Sequence, residues 1–328
     1  MIRTLTNAAL ETPTSKQYNA LLADYFEFCD LFHKDPLSPS ARKVQEFLCY
    51  LHFYLNVPHG AADKRVTALG HFWILNGYDW DRKKYPTIRT MMKGYKKLKP
   101  SDIRRKNPFT IVHMKKAFKW IKLNSYNGLL LASVLCIGYF FGGRVGEYAP
   151  KTRDQWKEVI RPKDLTFIGP KRKLKSLIID FRQHKTNKYG IYSGKVECIC
   201  SCDIGICPVH IIKSFIEKRK KEYGTAEQAP LLLTLDEKPI RPAQVNFAVK
   251  NFVIKMKLNP KEYSSHSLRS GRATDLARAL KPNWFIKKWG RWRSDCWEDF
   301  YAKLDFTDIA KIANKSLHEL GLLDNKML

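Results

Sequence analysis

The sequence predicts a mainly α-helical chain of two domains, with a small antiparallel β-sheet in the second. Three observations predict it. Apolar residues in the N-terminal third recur at helical spacing. Two short runs rich in strand formers, residues 165–168 and 177–181, interrupt the helical patterning of the second half. Between the halves lies a basic stretch punctuated by Pro86, Pro100 and Pro108. The 328-residue length suits two domains at roughly 100–200 residues each.

The first helix is expected from Tyr18, Leu21, Leu22, Tyr25, Phe26 and Cys29, which fall on one helical face. Ser38-Pro39 reads as the next helix start, with serine as cap and proline in the first turn. Val44, Phe47, Leu48, Leu51 and Leu55 give that helix its apolar face. Val66, Leu69, Phe72 and Trp73 predict a further helix, ended near Asn76-Gly77. The first domain is expected over residues 1–104, a last helix running into a basic linker. The second, 105–328, opens with a helix through Ile111, Met114, Phe118 and Ile121, followed by a buried helix over the apolar run 129–141. A polar turn over 182–188 separates the two strand-like runs from a return strand expected over 189–196. Helices resume at Ile211, and Phe306, Ile309, Ile312, Leu317 and Leu320 pattern the C-terminal tail.

Charge points to the partner. Lys and Arg number 59 against 31 Asp and Glu, a net of +28. The isoelectric point near 9.8 is the electrostatic footprint of a nucleic-acid binder. Cations set on phosphates release condensed counterions, so such binding is strong and salt-dependent. Residues 82–106 hold eleven basic side chains and one acidic residue, Asp102. Of these, Arg82, Lys83, Lys84, Lys93, Lys96, Lys97, Arg104, Arg105 and Lys106 are read as facing DNA. The longest apolar run, 129–141, is thirteen residues, short of the ~20 that span a bilayer, so no membrane partner is expected. The N-terminus lacks an apolar signal core. Four of the eight cysteines crowd into residues 198–207, unlike a secreted disulfide framework. An intracellular location on DNA is expected: the nucleus in a eukaryotic host, the cytoplasm or nucleoid otherwise. Cys198, Cys200, Cys202, Cys207 and His210 could offer zinc ligands, but their spacing is irregular for a zinc finger. A turn using cysteines as small apolar residues is the favoured reading, with no metal and no cofactor.

Cutting and rejoining DNA needs a nucleophile, fixed positive charge on the non-bridging oxygens, and an acid for the departing sugar oxygen. Arginine suits the second task, because its planar fork binds two phosphate oxygens and stays charged. In Ser265-His-Ser-Leu-Arg269, a serine-capped first helical turn, His266 and Arg269 are three apart and share a face. Trp292 and Tyr301 follow, nine residues apart.

With Gly142-Gly-Arg144-Val-Gly-Glu147 after the apolar run, and Lys185 and Lys188 in the turn, the ordered set resembles the tyrosine recombinase or phage integrase family. The resemblance covers roughly residues 109–305 by motif and extends to the N-terminal helices. It implies a helical core-binding domain followed by an α+β catalytic domain. It implies that Arg144 and Arg269 clamp the scissile phosphate and that Tyr301 attacks it, leaving a 3′-phosphotyrosyl bond. Lys185, with Lys188 as its competitor, would protonate the 5′ oxygen; His266 would assist proton transfer. Trp292 would pack at the phosphate, and Glu147 would orient its neighbours. The implied partners are double-stranded DNA and a homotetramer on two DNA sites, with the C-terminal helix docked on a neighbouring protomer. The enzyme would be a recombinase or integrase of a mobile element, acting without ATP. A type IB topoisomerase is the alternative within the same chemistry, although those enzymes usually carry Lys at the position of His266. A catalytically idle DNA-binding protein is the alternative outside it.

Overall fold

The structure, a computed structural model, describes residues 12–101, 105–170, 173–181, 194–224 and 228–292, with single positions 294, 298, 304, 308 and 309 beyond. The chain divides into two compact units, Met1–Arg104 and Arg105–Leu328. The described part is mainly helical, with one small antiparallel sheet.

The first unit contains α1 (Thr12–Leu31), α2 (Ala41–Cys49), α3 (His59–Leu75) and α4 (Pro86–Leu98). The apolar faces read from the sequence meet in one core, where Tyr25, Phe47, Leu51, Leu69 and Trp73 are fully buried. Each such side chain gives about 1.5–3 kcal/mol on leaving water. The two polar atoms buried with the aromatics share an acceptor: Tyr25 Oη donates to the Pro36 carbonyl at 3.1 Å and Trp73 Nε1 at 2.9 Å. The start of α2 differs from expectation. Ser40, not Ser38, is the cap, its Oγ accepting from Lys43 N at 3.1 Å. The Ser38 carbonyl instead accepts from Lys43 Nζ at 2.5 Å. Past α2 the chain widens into a π-helical turn, Tyr50–Tyr54, which leaves Phe53 and Tyr54 exposed.

The second unit is organised around α6 (Tyr126–Tyr139), which follows α5 (Ile111–Phe118). Helix α6 is buried on nearly every side, as an all-round apolar sequence requires. The Oγ of Ser125 caps it, accepting from Gly128 N at 3.0 Å. A short turn, α7 (Val145–Tyr148), leads to β1 (Leu165–Ile168), β2 (Ser176–Asp180) and β3 (Lys195–Ile199), an antiparallel sheet in sequence order. The described part of the return strand, Lys195–Ile199, overlaps the end of the expected 189–196, whose residues 189–193 lie outside the described residues. Val196 pairs with Ile179 and Cys198 with Leu177, placing alternate apolar residues of β3 toward the core. Residues 182–193, with the expected turn, lie outside the described residues. Among the described residues there follow α8 (Pro208–Tyr223), α9 (Pro242–Lys255), α10 (His266–Arg278) and α11 (Asn283–Trp289). Helix α10 begins at His266 as expected, but the Ser265 side chain does not cap it. Ser265 is already helical in its backbone (φ −56°), and Ser267 Oγ accepts from Ser264 N at 3.0 Å instead.

Two glycines let α10 sit close to its neighbours. A Cβ on Gly138 of α6 would stand 2.7 Å from Leu268 Cδ1, and one on Gly271 of α10 would stand 2.0 Å from the Phe109 carbonyl oxygen. Phe109 N also donates to the Ser267 carbonyl at 2.7 Å, so the segment before α5 is tied to α10. The neighbour of Gly271 is backbone and cannot rotate away. Gly271→Ala is expected to cost about 1–3 kcal/mol, the range for overpacking a tight core. Urea unfolding checks this; a loss indistinguishable from zero would show that the approach is not fixed.

Candidate functional site

The hinge between α6 and α7 supplies the first elements of the site. Gly142 takes a left-handed backbone (φ +57°), and Gly143 N donates to the Ile137 carbonyl at 3.0 Å, closing α6. The turn presents Arg144 as the cap of α7. There Arg144 N donates to Glu147 Oε2 at 2.7 Å, and its guanidinium to Glu147 Oε1 at 2.9 Å. Glu147 thus caps the backbone of Arg144 and pairs with its side chain at once.

Glu147 is 5% exposed and carries a second arginine. Arg291, following α11, donates to Glu147 Oε2 at 2.8 Å and Oε1 at 3.2 Å, and to the Gly142 carbonyl at 3.0 Å. Its guanidinium lies 4.0 Å from the Phe181 ring centre. Burial pushes the Glu147 carboxyl upward, but Arg291, Arg144 and Arg269 outweigh it and hold it below the ordinary 4.5. It is thus an anion at neutral pH.

Arg269, 1% exposed, reaches the same turn from α10. It donates to the Gly142 carbonyl at 2.5 Å and to the Gly290 carbonyl, and stacks 4.4 Å from the Trp292 ring centre. His266, one turn earlier, is near enough to Arg269 and Arg144 for their charges to act on it. Desolvation on its packed side, then those two charges, lower its pKa from the usual 6.5. It is neutral at pH 7 and able to accept a proton. Trp289 closes the turn, its indole N–H donating to the Phe140 carbonyl at 3.0 Å while its ring packs where Gly142 has no side chain.

Of the residues singled out in the sequence, the structure brings together Arg144, Glu147, His266, Arg269 and Trp292. Lys185, Lys188 and Tyr301 lie outside the described residues. Sequence reasoning missed Arg291. Its signal was present in the Gly290-Arg-Trp292 run, but the partner, Glu147, is 144 positions away. Ser270-Gly-Arg272 also finds a purpose: Gly271 admits the Phe109 carbonyl, and Arg272 stacks over Tyr139 at 5.6 Å and Phe140 at 5.7 Å.

The basic residues of the first unit fall in two groups. Arg82 pairs with Asp63 at 2.7 Å and Lys84 with Asp79 at 3.2 Å. Lys93, Lys96 and Lys97 are exposed along α4. Lys83, Lys93 and Lys96 line one groove together with Arg82 and Arg89. In the second unit Arg105 and Lys106 are exposed, and Arg104 lies outside the described residues. Among the described residues, Cys200, Cys202, Cys207 and His210 are the group that could hold a metal, their donor atoms all within 4.8 Å of one another. No described helix is long and apolar enough to cross a membrane.

No protein-family model and no curated protein matches the chain. Solved structures do. The XerH site-specific recombinase bound to palindromic difH substrate, in a post-cleavage complex, superposes at a TM-score of 0.59 with 12% identity, over 92% of this chain and 78% of that one. The Tn1549 transposon integrase in complex with transposon right end DNA gives 0.57 with 15% identity, over 95% of both chains. A lambda integrase dimer bound to a COC′ core site gives 0.55 with 14% identity, over 92% of this chain and 95% of that one. The fold is that of the tyrosine recombinases and integrases. At these identities the likeness is one of fold. In this recombinase fold, the arginine cluster joins the α6–α7 turn, α10 and the segment after α11.

Glu147→Gln tests the cluster. Removing one charge of a buried pair costs about 3–5 kcal/mol, so the variant is expected to unfold at markedly lower urea at pH 7. The folded carboxyl lies below its ordinary value, so its contribution is present above about pH 4.5 and is lost as pH falls through the folded pKa. The gap between wild type and variant should therefore narrow on acidification below that point. A gap that stays constant between pH 7 and strongly acidic solution would contradict the assignment.

Proposed function

We propose that this chain is a site-specific DNA recombinase or integrase that cuts and rejoins strands through a 3′-phosphotyrosyl intermediate. The observation that carries the reading is the convergence of Arg144, Arg269 and His266 about one turn, with Glu147 buried behind Arg144. The two guanidinium groups set fixed positive charge about one turn, the charge that the non-bridging oxygens of a phosphate require. A neutral imidazole beside them can take or return a proton.

In the proposed step the phenol oxygen of Tyr301 attacks phosphorus and a new P–O bond forms. The bond from phosphorus to the 5′ oxygen breaks. His266 assists removal of the phenol proton, Lys185 protonates the leaving 5′ oxygen, and Trp292 packs at the phosphate. Attack by a 5′ hydroxyl on the phosphotyrosyl bond reverses every transfer. The ester linkage is conserved, so no ATP is needed, and religation to a different 5′ end yields recombination. No cofactor enters the proposed chemistry.

The partners in this reading are double-stranded DNA and three further copies of the chain on two DNA sites. The superposable recombinases and integrases, each bound to DNA, support it, as does the net charge of +28. Residues 1–104 would grip DNA through the basic residues of 82–104, and residues 105–328 would carry the chemistry, with the C-terminal tail docking on a neighbour. The working location is on DNA inside the cell.

Tyr301→Phe is expected to abolish the covalent protein–DNA adduct on nicked suicide substrates while DNA affinity stays nearly unchanged. A wild-type level of adduct in that variant would remove Tyr301 from the mechanism. Arg144→Lys should lower cleavage about 100-fold or more, the scale for losing one preorganised donor in a charge-stabilising site.

The pH profile offers an independent check. Desolvation and the charges of Arg269 and Arg144 lower the His266 pKa from the usual 6.5, so the acid-side decline in cleavage, as the imidazole takes up a proton, should be centred below that of an ordinary histidine. A decline already centred above pH 7 would contradict a lowered histidine.

A further inference from the structure

We propose that Cys200, Cys202, Cys207 and His210 form a structural zinc site that fastens the end of β3 to the start of α8. Five of the six separations among the four donor atoms lie near tetrahedral edges, and all six are within 4.8 Å. Cys200 Sγ lies 3.3 Å from Cys202 Sγ and 3.5 Å from Cys207 Sγ. His210 Nδ1 lies 3.6 Å from Cys200 Sγ, 3.3 Å from Cys202 Sγ and 3.2 Å from Cys207 Sγ. Zinc bonds of about 2.3 Å to sulfur and about 2.0–2.1 Å to nitrogen give tetrahedral edges of roughly 3.8 and 3.6 Å. The observed edges fall within about 0.5 Å of these. They are far longer than the ~2.05 Å of a disulfide.

Hydrogen bonding among the side chains does not account for the convergence. One ring nitrogen engages one proton, yet His210 Nδ1 faces three sulfurs at once. Nor are these cysteines simply small apolar residues, since Cys202 and His210 are exposed. Four electron-pair donors around one point suit a soft divalent cation.

Local structure explains why an irregular linear spacing works. Cys200 follows the last residue of β3 and Cys202 opens the next turn, with their sulfurs 3.3 Å apart. Cys200 N is held by the Lys175 carbonyl at 2.7 Å. A short helical turn, Cys202–Ile204, and Gly205 with a left-handed backbone (φ +79°) then reverse the chain. Cys207 caps α8, and His210 lies one turn on, at i+3. Ser201 N donates to Cys207 Sγ at 3.4 Å, the kind of outer bond that supports a metal-bound thiolate. Cys198 takes no part: it sits on β3 opposite Leu177.

With four protein ligands the site is closed, which marks it as structural. It lies at the Ser176–Ile199 end of the β2–β3 ladder, whereas residues 182–193, with Lys185, join the strands at the Asp180–Lys195 end. The inference does not depend on the recombinase reading.

The test uses the full chain without a polyhistidine tag, purified in reducing buffer free of chelator. Elemental analysis by mass spectrometry is expected to find about one zinc per chain. Cys207→Ser and His210→Ala should lose it, and Cys198→Ser should keep it. Cobalt(II) added to zinc-stripped, reduced wild type provides a second readout that needs no variant. It should produce the intense visible bands of tetrahedral cobalt together with thiolate-to-metal charge transfer. Protein that arrives without zinc and gives no tetrahedral cobalt spectrum would overturn the proposal. So would zinc retained in full by Cys207→Ser, or lost equally by Cys198→Ser.

Discussion

A carboxylate withdrawn from water is costly unless positive charge and hydrogen bonds surround it, and Glu147 meets that demand with two arginines and a backbone amide. The geometry of the α6–α7 turn follows from this. Arg144 is fixed at both backbone and side chain by the same carboxylate, so its guanidinium loses little freedom when it meets an anion. Arg291 bridges Glu147 to the Gly142 carbonyl, to which Arg269 also donates. One buried anion thus sets the positions of the cations from which the proposed phosphate clamp is built.

The clamp also needs a rigid frame. Helix α10 delivers His266 and Arg269 together because its first turn lies against α6, an approach that depends on the missing side chain of Gly138, while Gly271 admits the segment before α5. Arg291 adopts a left-handed backbone (φ +53°), a conformation that costs a non-glycine residue roughly 1–2 kcal/mol. Its bonds to Glu147 and Gly142 offset that strain. Trp292 packs against Gly290 and Trp289 against Gly142, and apolar surface at such places raises the strength of the charge interactions beside it.

What the sequence made legible was local. The unbroken apolar run announced α6, and three-residue spacing put His266 on the face of Arg269. The cap of α2 was misplaced by two residues because Ser38 and Ser40 are equally good caps on paper; the bond from Lys43 N to the Ser40 hydroxyl decides. For the third strand, pairing with β2 sets the register over Lys195–Ile199. Arg291 was invisible because its importance lies in a contact spanning more than a hundred positions. The cysteine cluster was read as irregular because a strand end and a helix start bring its ligands together, a convergence that linear spacing does not encode.

The central claim, that Arg144 and Arg269 face the negative charge of one scissile phosphate, can be tested by removing that charge from the DNA. A neutral methylphosphonate at the cleavage position keeps the phosphorus and the leaving group but abolishes the anionic oxygen. Cleavage of both substrates would be measured for wild type and for Arg144→Ala. The account predicts a large loss on the phosphodiester and a much smaller one on the methylphosphonate, where no charge is left to clamp. Equal losses on both substrates would contradict it.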